Sequence, residues 1–285
     1  MTKKFTSIVL AGEPNSGKST LLNQLIGEKL SIVCHKAQTT RKTITGIFIH
    51  NDCQVLIYDT PGIFDKPTSL LERKIVRNAR NTINDNDQIY LVIDSSQVSA
   101  VNVVQLIEKV NKPNVYLLLN KIDVTDSEKI DALTKSVAEK AKKIFQISAL
   151  TGLGIDELKS FIYENAEISE WLYPEDEITT IPERELAADI TREKLFFAAH
   201  QELPYALAVE TELWKEDKTK NLINISQVIY TKREAHKKII IGKGGINIKN
   251  IGMQARKELE AIVGCQVNLK LFVKVRPDWD KFDII

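Results

Sequence analysis

The chain has 285 residues, with 39 Lys and Arg against 38 Asp and Glu, a formal net charge of +1 and 43% hydrophobic residues. Two cores of ordinary size can be buried in that length, and the balanced charge excludes a protein that coats nucleic acid along its whole surface. No apolar run reaches transmembrane length and the start, Met1-Thr2-Lys3-Lys4, carries no signal peptide, so the expected place is the cytoplasm.

Residues 7–11 are an apolar run, residues 12–19 read Gly-Glu-Pro-Asn-Ser-Gly-Lys-Ser, and residues 21–26 read Leu-Leu-Asn-Gln-Leu-Ile. Strand, glycine loop and helix in that order make a phosphate-binding loop. Gly12 and Gly17 let the backbone curl so that successive N–H groups point at one anion, and the helix adds its positive end. Lys18 is then placed to reach the outer phosphates and Ser19 to hold magnesium. Downstream, Gln38-Thr39-Thr40-Arg41 is a polar stretch in which Thr40 is the expected second hydroxyl ligand to the metal, with Thr39 as the alternative. Residues 54–58 form a strand that ends in Asp59-Thr60-Pro61-Gly62, where Asp59 can hold magnesium through water and the Gly62 N–H can touch a γ-phosphate. Segments of this kind, ordered by the γ-phosphate and released on hydrolysis, form a switch.

The base is chosen further along. Residues 115–119 read as a buried parallel strand that delivers Asn120-Lys121-Ile122-Asp123 at its C-terminal end. Guanine offers N1–H and an exocyclic amine on one edge, and an ionised Asp123 accepts both; adenine would set a lone pair against the carboxylate. Asn120 braces the loop, the aliphatic stem of Lys121 covers the ring, and a backbone N–H from Ser148-Ala149-Leu150 is placed for guanine O6.

The run Gly12-x-Pro14-Asn15-x-Gly17-Lys18-Ser19-Thr20-Leu21-Leu22-Asn23, the segment Lys36-Ala37-Gln38-Thr39-Thr40-Arg41 and Asp59-Thr60-Pro61-Gly62 resemble the translation-factor-like small GTPases. Among these they are most similar to the Era family of bacterial ribosome-assembly GTPases, over the first ~170 residues. The resemblance implies GTP or GDP and Mg2+ as ligands, held by Gly12, Pro14, Asn15, Ser16, Gly17, Lys18, Ser19, Thr20, Asp59, Gly62, Asn120, Lys121, Asp123, Ser148 and Ala149, with Lys18, Thr40, Gly62 and Asn15 serving hydrolysis. Ser16 stands where the family usually has Val, with little expected effect, because its backbone can still donate to phosphate. Ile63 follows the Asp-Thr-Pro-Gly segment where signalling GTPases place a water-orienting glutamine, which implies slow intrinsic hydrolysis. In related GTPases an asparagine at the position of Asn15 helps hold potassium beside the phosphates, and K+ is the expected further ion; a plain loop-bracing role is the alternative.

Residues 167–182 carry five acids, no bases and two prolines, a linker or surface-hugging connection whose Trp171 and Tyr173 are expected to pack on a domain face. A helix-like stretch from Leu186 to Gln201 follows, then strands at 206–214 and 222–230, a segment running into Gly242-Lys243-Gly244-Gly245, a helix at 246–263 and a strand at 266–275. The order is α+β. Ile241-Gly242-Lys243-Gly244-Gly245 between helical segments resembles the KH domain, whose GXXG loop clamps single-stranded RNA. Between Lys232 and Lys257 stand eight bases (Lys232, Arg233, Lys237, Lys238, Lys243, Lys249, Arg256, Lys257) against the one acid Glu234. Lys237, Lys238, Lys243 and Lys249 are the expected phosphate contacts. The tail from Arg276 to Phe282 is expected to pack on the KH face, without a function of its own.

The expected organisation is a P-loop GTPase domain of α/β type with a mostly parallel sheet (residues 1–166), an acidic linker (167–182) and a smaller α+β KH domain of type II (183–285). The expected function is a GTP-hydrolysing switch. By the family resemblance it binds single-stranded rRNA near the 3′ end of small-subunit rRNA and acts in small-subunit assembly, as a monomer. The open alternative is an RNA-binding scaffold in which GTP is structural. Cys34, Cys53 and Cys265 are odd in number and unrelated in spacing, which fits reduced thiols. His35, His50, His200 and His236 are scattered and pair with no nucleophile. No anchor is visible, so membrane contact is limited to a peripheral touch of the inner face by the basic KH surface.

Overall fold

Continuous apolar runs build the central sheet of the N-terminal part, and their lack of alternation has a simple cause: both sheet faces are covered. The computed structural model describes residues 2–33, 40–62, 70–198 and 206–281. Strands β1 (Lys4–Ala11), β3 (Cys53–Asp59), β4 (Ile89–Asp94) and β5 (Val115–Asn120) run parallel, with β6 (Lys143–Gln146) beside β5. The edge strand β2 (Ile44–His50) pairs antiparallel with β3. The sheet order is β2-β3-β1-β4-β5-β6, and a two-residue strand β7 (Glu167–Ile168) pairs antiparallel with the start of β1. Helices α1 (Lys18–Ile26), α2 (Leu70–Asn84), α3 (Ala100–Val110), α4 (Ser127–Val137) and α5 (Ile155–Glu164) connect the strands. A core of Val9, Leu91, Ile93, Leu117 and Leu119 meets Val103, Ile107, Ile130 and Leu133 from the helices. Because β1 pairs with β3 on one side and β4 on the other, the chain reverses its winding there, and a crevice opens beyond the C-terminal ends of these strands.

The chain divides into two compact units, Met1–Thr180 and Ile181–Ile285. The acidic segment after α5 lies along the first unit. Trp171 Nε1 donates to the Asp52 carbonyl at 3.2 Å, Gln54 Oε1 accepts from the N–H groups of Leu172 and Tyr173, and Thr179 Oγ1 donates to the Thr45 carbonyl at 2.6 Å.

In the second unit, α6 (Glu183–Ala198) starts one residue after Pro182, with Glu183 and Glu185 in its first turn, where acids favour the helix dipole. It is followed by β8 (Leu207–Asp217), β9 (Leu222–Thr231), α7 (Glu234–Ile241), α8 (Ile246–Val263) and β10 (Gln266–Val275). The sheet order is β10-β9-β8, with β9 and β10 parallel. One sheet face packs Ile223, Ile225 and Val267 against Ala187 and Ile190 of α6 and Ala255 and Leu259 of α8. The expected GTPase sheet followed by a KH unit is what the chain forms. The tail packs as expected up to Asp280: Trp279 is fully buried, donates to the Ala206 carbonyl at 3.2 Å, and is followed by Asp280, 2.6 Å from Lys232 Nζ. Phe282 lies outside the described residues.

Candidate functional site

A cleft of about 300 Å³ opens at the crevice and is lined by Pro14, Asn15, Gly17, Lys18, Ser19, Thr20, Ile32, Val33, Thr40, Gly62, Asn120, Lys121, Asp123, Val124, Ala149 and Leu150. Five segments distant in sequence supply these residues, and four of them lie at or just beyond the C-terminal ends of β1, β3, β5 and β6, on the same edge of the sheet.

The phosphate-loop end is built on close backbone approach. Gly12 (φ 147°) lies so near β4 that a Cβ would stand 2.3 Å from the Val92 carbonyl oxygen, and a Cβ on Gly17 (φ 99°) would stand 2.2 Å from Asn120 Nδ2. Asn15 also adopts a left-handed conformation, φ 63°. Alternating backbone of this kind makes a nest of N–H groups. Lys18 is buried at the first position of α1, and its Nζ donates to the carbonyls of Glu13 (2.7 Å) and Gly12 (3.2 Å). Burial lowers its pKa to about 8, against the opposing pull of Asp59 and Glu13.

Beside it four oxygen-bearing side chains converge. Ser19 Oγ donates to Asp59 Oδ2 at 2.7 Å and lies 3.0 Å from Thr40 Oγ1, and Ser31 Oγ reaches the same carboxylate oxygen at 3.1 Å. Asp59 is fully buried, and its Oδ1 has no hydrogen-bond partner among the described residues. Burial raises its pKa above the ordinary carboxylate value, a shift opposed by Lys18 and the three hydroxyls. An orphaned, buried carboxylate oxygen beside two hydroxyls is a donor set that suits a small hard cation. Ser31 is held in place by Asn23 of α1, whose Oδ1 accepts from the Leu30 and Ser31 N–H groups, both at 2.9 Å. Gly62 closes this end: a Cβ there would stand 2.7 Å from Pro14 N. Thr39 and Ile63 lie outside the described residues.

At the far end, Asn120 is buried and ties two loops together. Its Nδ2 donates to the Ser16 carbonyl at 2.8 Å and its Oδ1 accepts the Ala149 N–H at 2.9 Å. Of the Ser148-Ala149-Leu150 N–H groups, one of which is expected to face guanine O6, that of Ala149 is thus engaged by Asn120 and that of Ser148 donates to the Leu153 carbonyl at 2.9 Å. Ser148 is buried, and its hydroxyl accepts the Thr151 N–H at 3.1 Å; with Gly12, Ser16 and Asp59 it supports the cleft wall without forming it. Asp123 stands exposed at the rim, with no hydrogen-bond or ion-pair partner for its carboxylate among the described residues.

Two supporting residues have no motif. Lys121, in a left-handed conformation at φ 65°, is paired with Asp94 at 2.6 Å. Burial alone would raise the Asp94 pKa, but hydrogen bonds from Lys121 and Ser96 outweigh it and hold the carboxyl below its usual value. The Ser95 N–H donates to the Asn120 carbonyl at 3.0 Å, and its hydroxyl donates to the same oxygen. The signal that could have found them is positional. β4 is an apolar run ending in Asp94, as β3 ends in Asp59 and β5 in Asn120.

The second unit carries its own candidate surface. The last turn of α7 closes with the Gly242 N–H donating to the Lys238 carbonyl at 2.9 Å, and Asn247 Nδ2 donates back to the Ile239 carbonyl at 2.9 Å. Gly242, Gly244 and Gly245 have φ of 74°, 62° and 79°. A Cβ on Gly242 would meet the Asn247 side chain at 2.7 Å, whereas none on Gly244 or Gly245 meets any atom within 4 Å. Lys238, Lys243 and Lys249 are exposed, Lys237 is partly so, and Ile241 is half-buried. Of the bases in this window Lys232 is held by Asp280, and Arg256 lies 4.0 Å from Glu260. The N-terminus of α8 begins directly after the loop, an arrangement that favours an anion.

The family model described as 50S ribosome-binding GTPase matches residues 7–121, and a KH domain model matches residues 202–280. GTPase Era of Rickettsia bellii is 47% identical over 287 residues, covering 98% of this chain and 96% of the relative. The chain belongs to the Era family of GTPases. GTPase Era of Sinorhizobium medicae is 46% identical over 277 residues, covering 95% of this chain and 88% of the relative. An Era variant of Aquifex aeolicus solved with GDP and aluminium fluoride is 38% identical, with a TM-score of 0.90 over 98% of this chain and 96% of that one. An Era solved with MgGDPNP and nucleotides 1506–1542 of 16S ribosomal RNA is likewise 38% identical, with a TM-score of 0.90 over 99% and 96%. As a member of the Era family the chain is an enzyme, a GTPase that binds RNA. No helix among the described residues is long and apolar enough to cross a membrane.

Proposed function

We propose that the cleft binds GTP with its phosphates on residues 12–20 and its base against Asn120, Lys121 and Asp123, and that hydrolysis there is coupled to rRNA binding by the KH unit during small-subunit assembly. The observation that carries the nucleotide reading is the placement of two opposite, unequal ends. Lys18 and the Ser19, Thr40 and Asp59 oxygens stand at one end, and the Asp123 carboxylate, without a partner among the described residues, at the other. The Lys18 ammonium leaves the Glu13 and Gly12 carbonyls for the β- and γ-phosphates, and the curled backbone of the loop donates to the same anion. Ser19, Thr40 and Asp59 would hold magnesium, Asp59 through water; when bound, that ion neutralises charge developing on the phosphate oxygens. Asp123 accepts the two guanine donors, while Asp94 holds the Lys121 ammonium so that its aliphatic stem lies flat against the ring. Asn15 is our candidate to steady K+ beside the phosphates, and equal hydrolysis rates in sodium and potassium would remove that assignment.

For the second unit, support comes from the glycine loop, the exposed lysines and the complex of a relative with 16S rRNA. Single-stranded RNA from the 3′ region of small-subunit rRNA is the proposed ligand, clamped at Gly242–Gly245 with Lys243 near its phosphates. We take the working form to be a cytoplasmic monomer. The test uses Gly244→Asp in the full chain, because that position has room for the side chain and Asp tolerates its backbone. GTP hydrolysis in the absence of RNA should be unchanged and affinity for a short 3′-terminal 16S RNA should fall about tenfold or more, through repulsion of phosphate. Undiminished RNA affinity would show that the strand binds elsewhere.

A further inference from the structure

Helix α2 presents one sign of charge to solvent. Leu71, Ile75, Val76, Ala79 and Ile83 are buried at helical spacing, and on the opposite side Arg73, Lys74, Arg77 and Arg80 are exposed. Arg73, Arg77 and Arg80 fall at i, i+4 and i+7, a single stripe about 10 Å long at the helical rise. None of the three has a hydrogen-bond or ion-pair partner among the described residues. The helix's single acid, Glu72, is partly buried in the first turn. Neighbouring helices differ: exposed charges are mixed on α3 (Glu108, Lys109) and α4 (Glu128, Asp131, Lys135), and acidic on α5 (Asp156, Glu157, Glu164). Stability does not call for three unpaired arginines in a row, since like charges one turn apart repel.

We propose that the Arg73–Arg77–Arg80 stripe of the GTPase unit is a second RNA contact, which grips the phosphodiester backbone of folded small-subunit rRNA outside the strand held by the KH unit. It rests on the reading of the chain as an rRNA-binding GTPase. Guanidinium groups favour this partner because their planar fork meets phosphate oxygens in pairs. A lipid surface is disfavoured, since the apolar face of α2 is buried in its own unit and none remains to enter a bilayer. The helix begins eight residues after Gly62, so the stripe is linked in sequence to the segment proposed to meet the γ-phosphate.

The test compares the parent, the triple variant Arg73→Gln/Arg77→Gln/Arg80→Gln, the triple Arg→Lys variant at the same positions, and Gly244→Asp. Each full-length protein, loaded with a non-hydrolysable GTP analogue, is titrated over a salt series with a short 3′-terminal 16S RNA and with protein-free full-length 16S rRNA. The Gln variant should bind the short RNA as the parent does but the long RNA about tenfold more weakly, with a log affinity against log salt slope shallower by about 2, from three lost phosphate contacts. The Lys variant should keep the parent's slope, and all arginine variants should keep the parent's melting temperature. Unchanged long-RNA binding by the Gln variant overturns the proposal. So does equal weakening with both RNAs, or, in parallel titrations with intact small subunits and with anionic phosphatidylserine vesicles, a loss confined to the subunits (a protein partner) or to the vesicles (a membrane). Gly244→Asp separates the two readings: if it alone loses RNA, the KH assignment stands without the stripe, and a parent that binds neither RNA ends both.

Discussion

Two glycine loops in this chain have left-handed backbone, yet their surroundings are opposite. At Gly12 and Gly17 an added Cβ would strike the Val92 carbonyl and the Asn120 amide at 2.3 and 2.2 Å, while at Gly244 and Gly245 it would meet nothing within 4 Å. The first loop is glycine because other strands press on it from behind and a phosphate must be approached from in front. At Gly244 and Gly245 the second is glycine for its backbone conformation alone, with the space around them left to a ligand; only Gly242 is pressed, and there by the Asn247 side chain. Support follows the same division. The nucleotide loop is tied by Asn120 to both Ser16 and Ala149, and β4 backs Asn120 through Ser95, so its shape is set before any ligand arrives. The RNA loop is held by backbone bonds from Gly242 and Gly245 and the one Asn247 amide. A rigid site suits a compact anion of fixed geometry; an open loop suits a flexible polymer whose phosphates vary in position.

The contrast can be broken most forcefully at Lys18. Lys18→Ala should lower single-turnover GTP hydrolysis on the order of 10³-fold, as loss of a charged donor to the transition state does, while leaving binding of the short RNA intact. Loss of RNA binding as well would show that the two loops are not independent. Next in size, Gly17→Ala should weaken GTP binding by about a hundredfold, because the methyl group displaces Asn120 and leaves buried polar groups unpaired at about 1–3 kcal/mol each. Gly244→Ala, by contrast, should cost about 1 kcal/mol or less in thermal unfolding and leave GTP binding untouched. Similar penalties at the two positions would erase the distinction between pressed and open glycines. Asp123→Asn should cut GTP affinity about tenfold or more and raise that for xanthosine triphosphate, whose base offers an acceptor in place of the amine donor. Smallest, Asp94→Asn should speed GDP release a few-fold by releasing the Lys121 ammonium, consistent with a partly exposed pair, with hydrolysis in the bound state unchanged.

Much of both units was legible in the chain because the signals are local. A glycine loop between an apolar strand and a helix is recognisable wherever it occurs, and Asn-Lys-Ile-Asp after a buried strand announces a base pocket. The helix, strand, strand, helix, helix, strand order of the KH unit could be read from periodicity and turn residues, with α6 starting three residues earlier than its apolar pattern, at the Pro182 boundary. Asp94, Ser95 and Ser31 were not legible. Each acts through a partner far along the chain (Lys121, Asn120 and Asp59), and a short polar side chain beside an apolar strand has no pattern that marks its partner. The charge count over residues 232–257 also overstated the free positive surface, since only folding brings Asp280 back onto Lys232.

What the sequence determined by itself, then, is the chemistry available: a glycine loop between strand and helix, a carboxylate just past a buried strand, hydroxyl and carboxylate oxygens of the kind a cation takes, and a glycine turn among lysines. These are properties of residue types at short spacing, and they survive without knowledge of the fold. What the tertiary structure decided is which groups are engaged and which are left over. It engaged the Ala149 N–H with Asn120 and Lys232 with Asp280, left Asp59 Oδ1 and the Asp123 carboxylate without partners among the described residues, and turned three arginines of α2 to solvent on one stripe. The reason is that hydrogen bonds and burial are settled between segments tens of residues apart, at strand ends that only sheet pairing brings together.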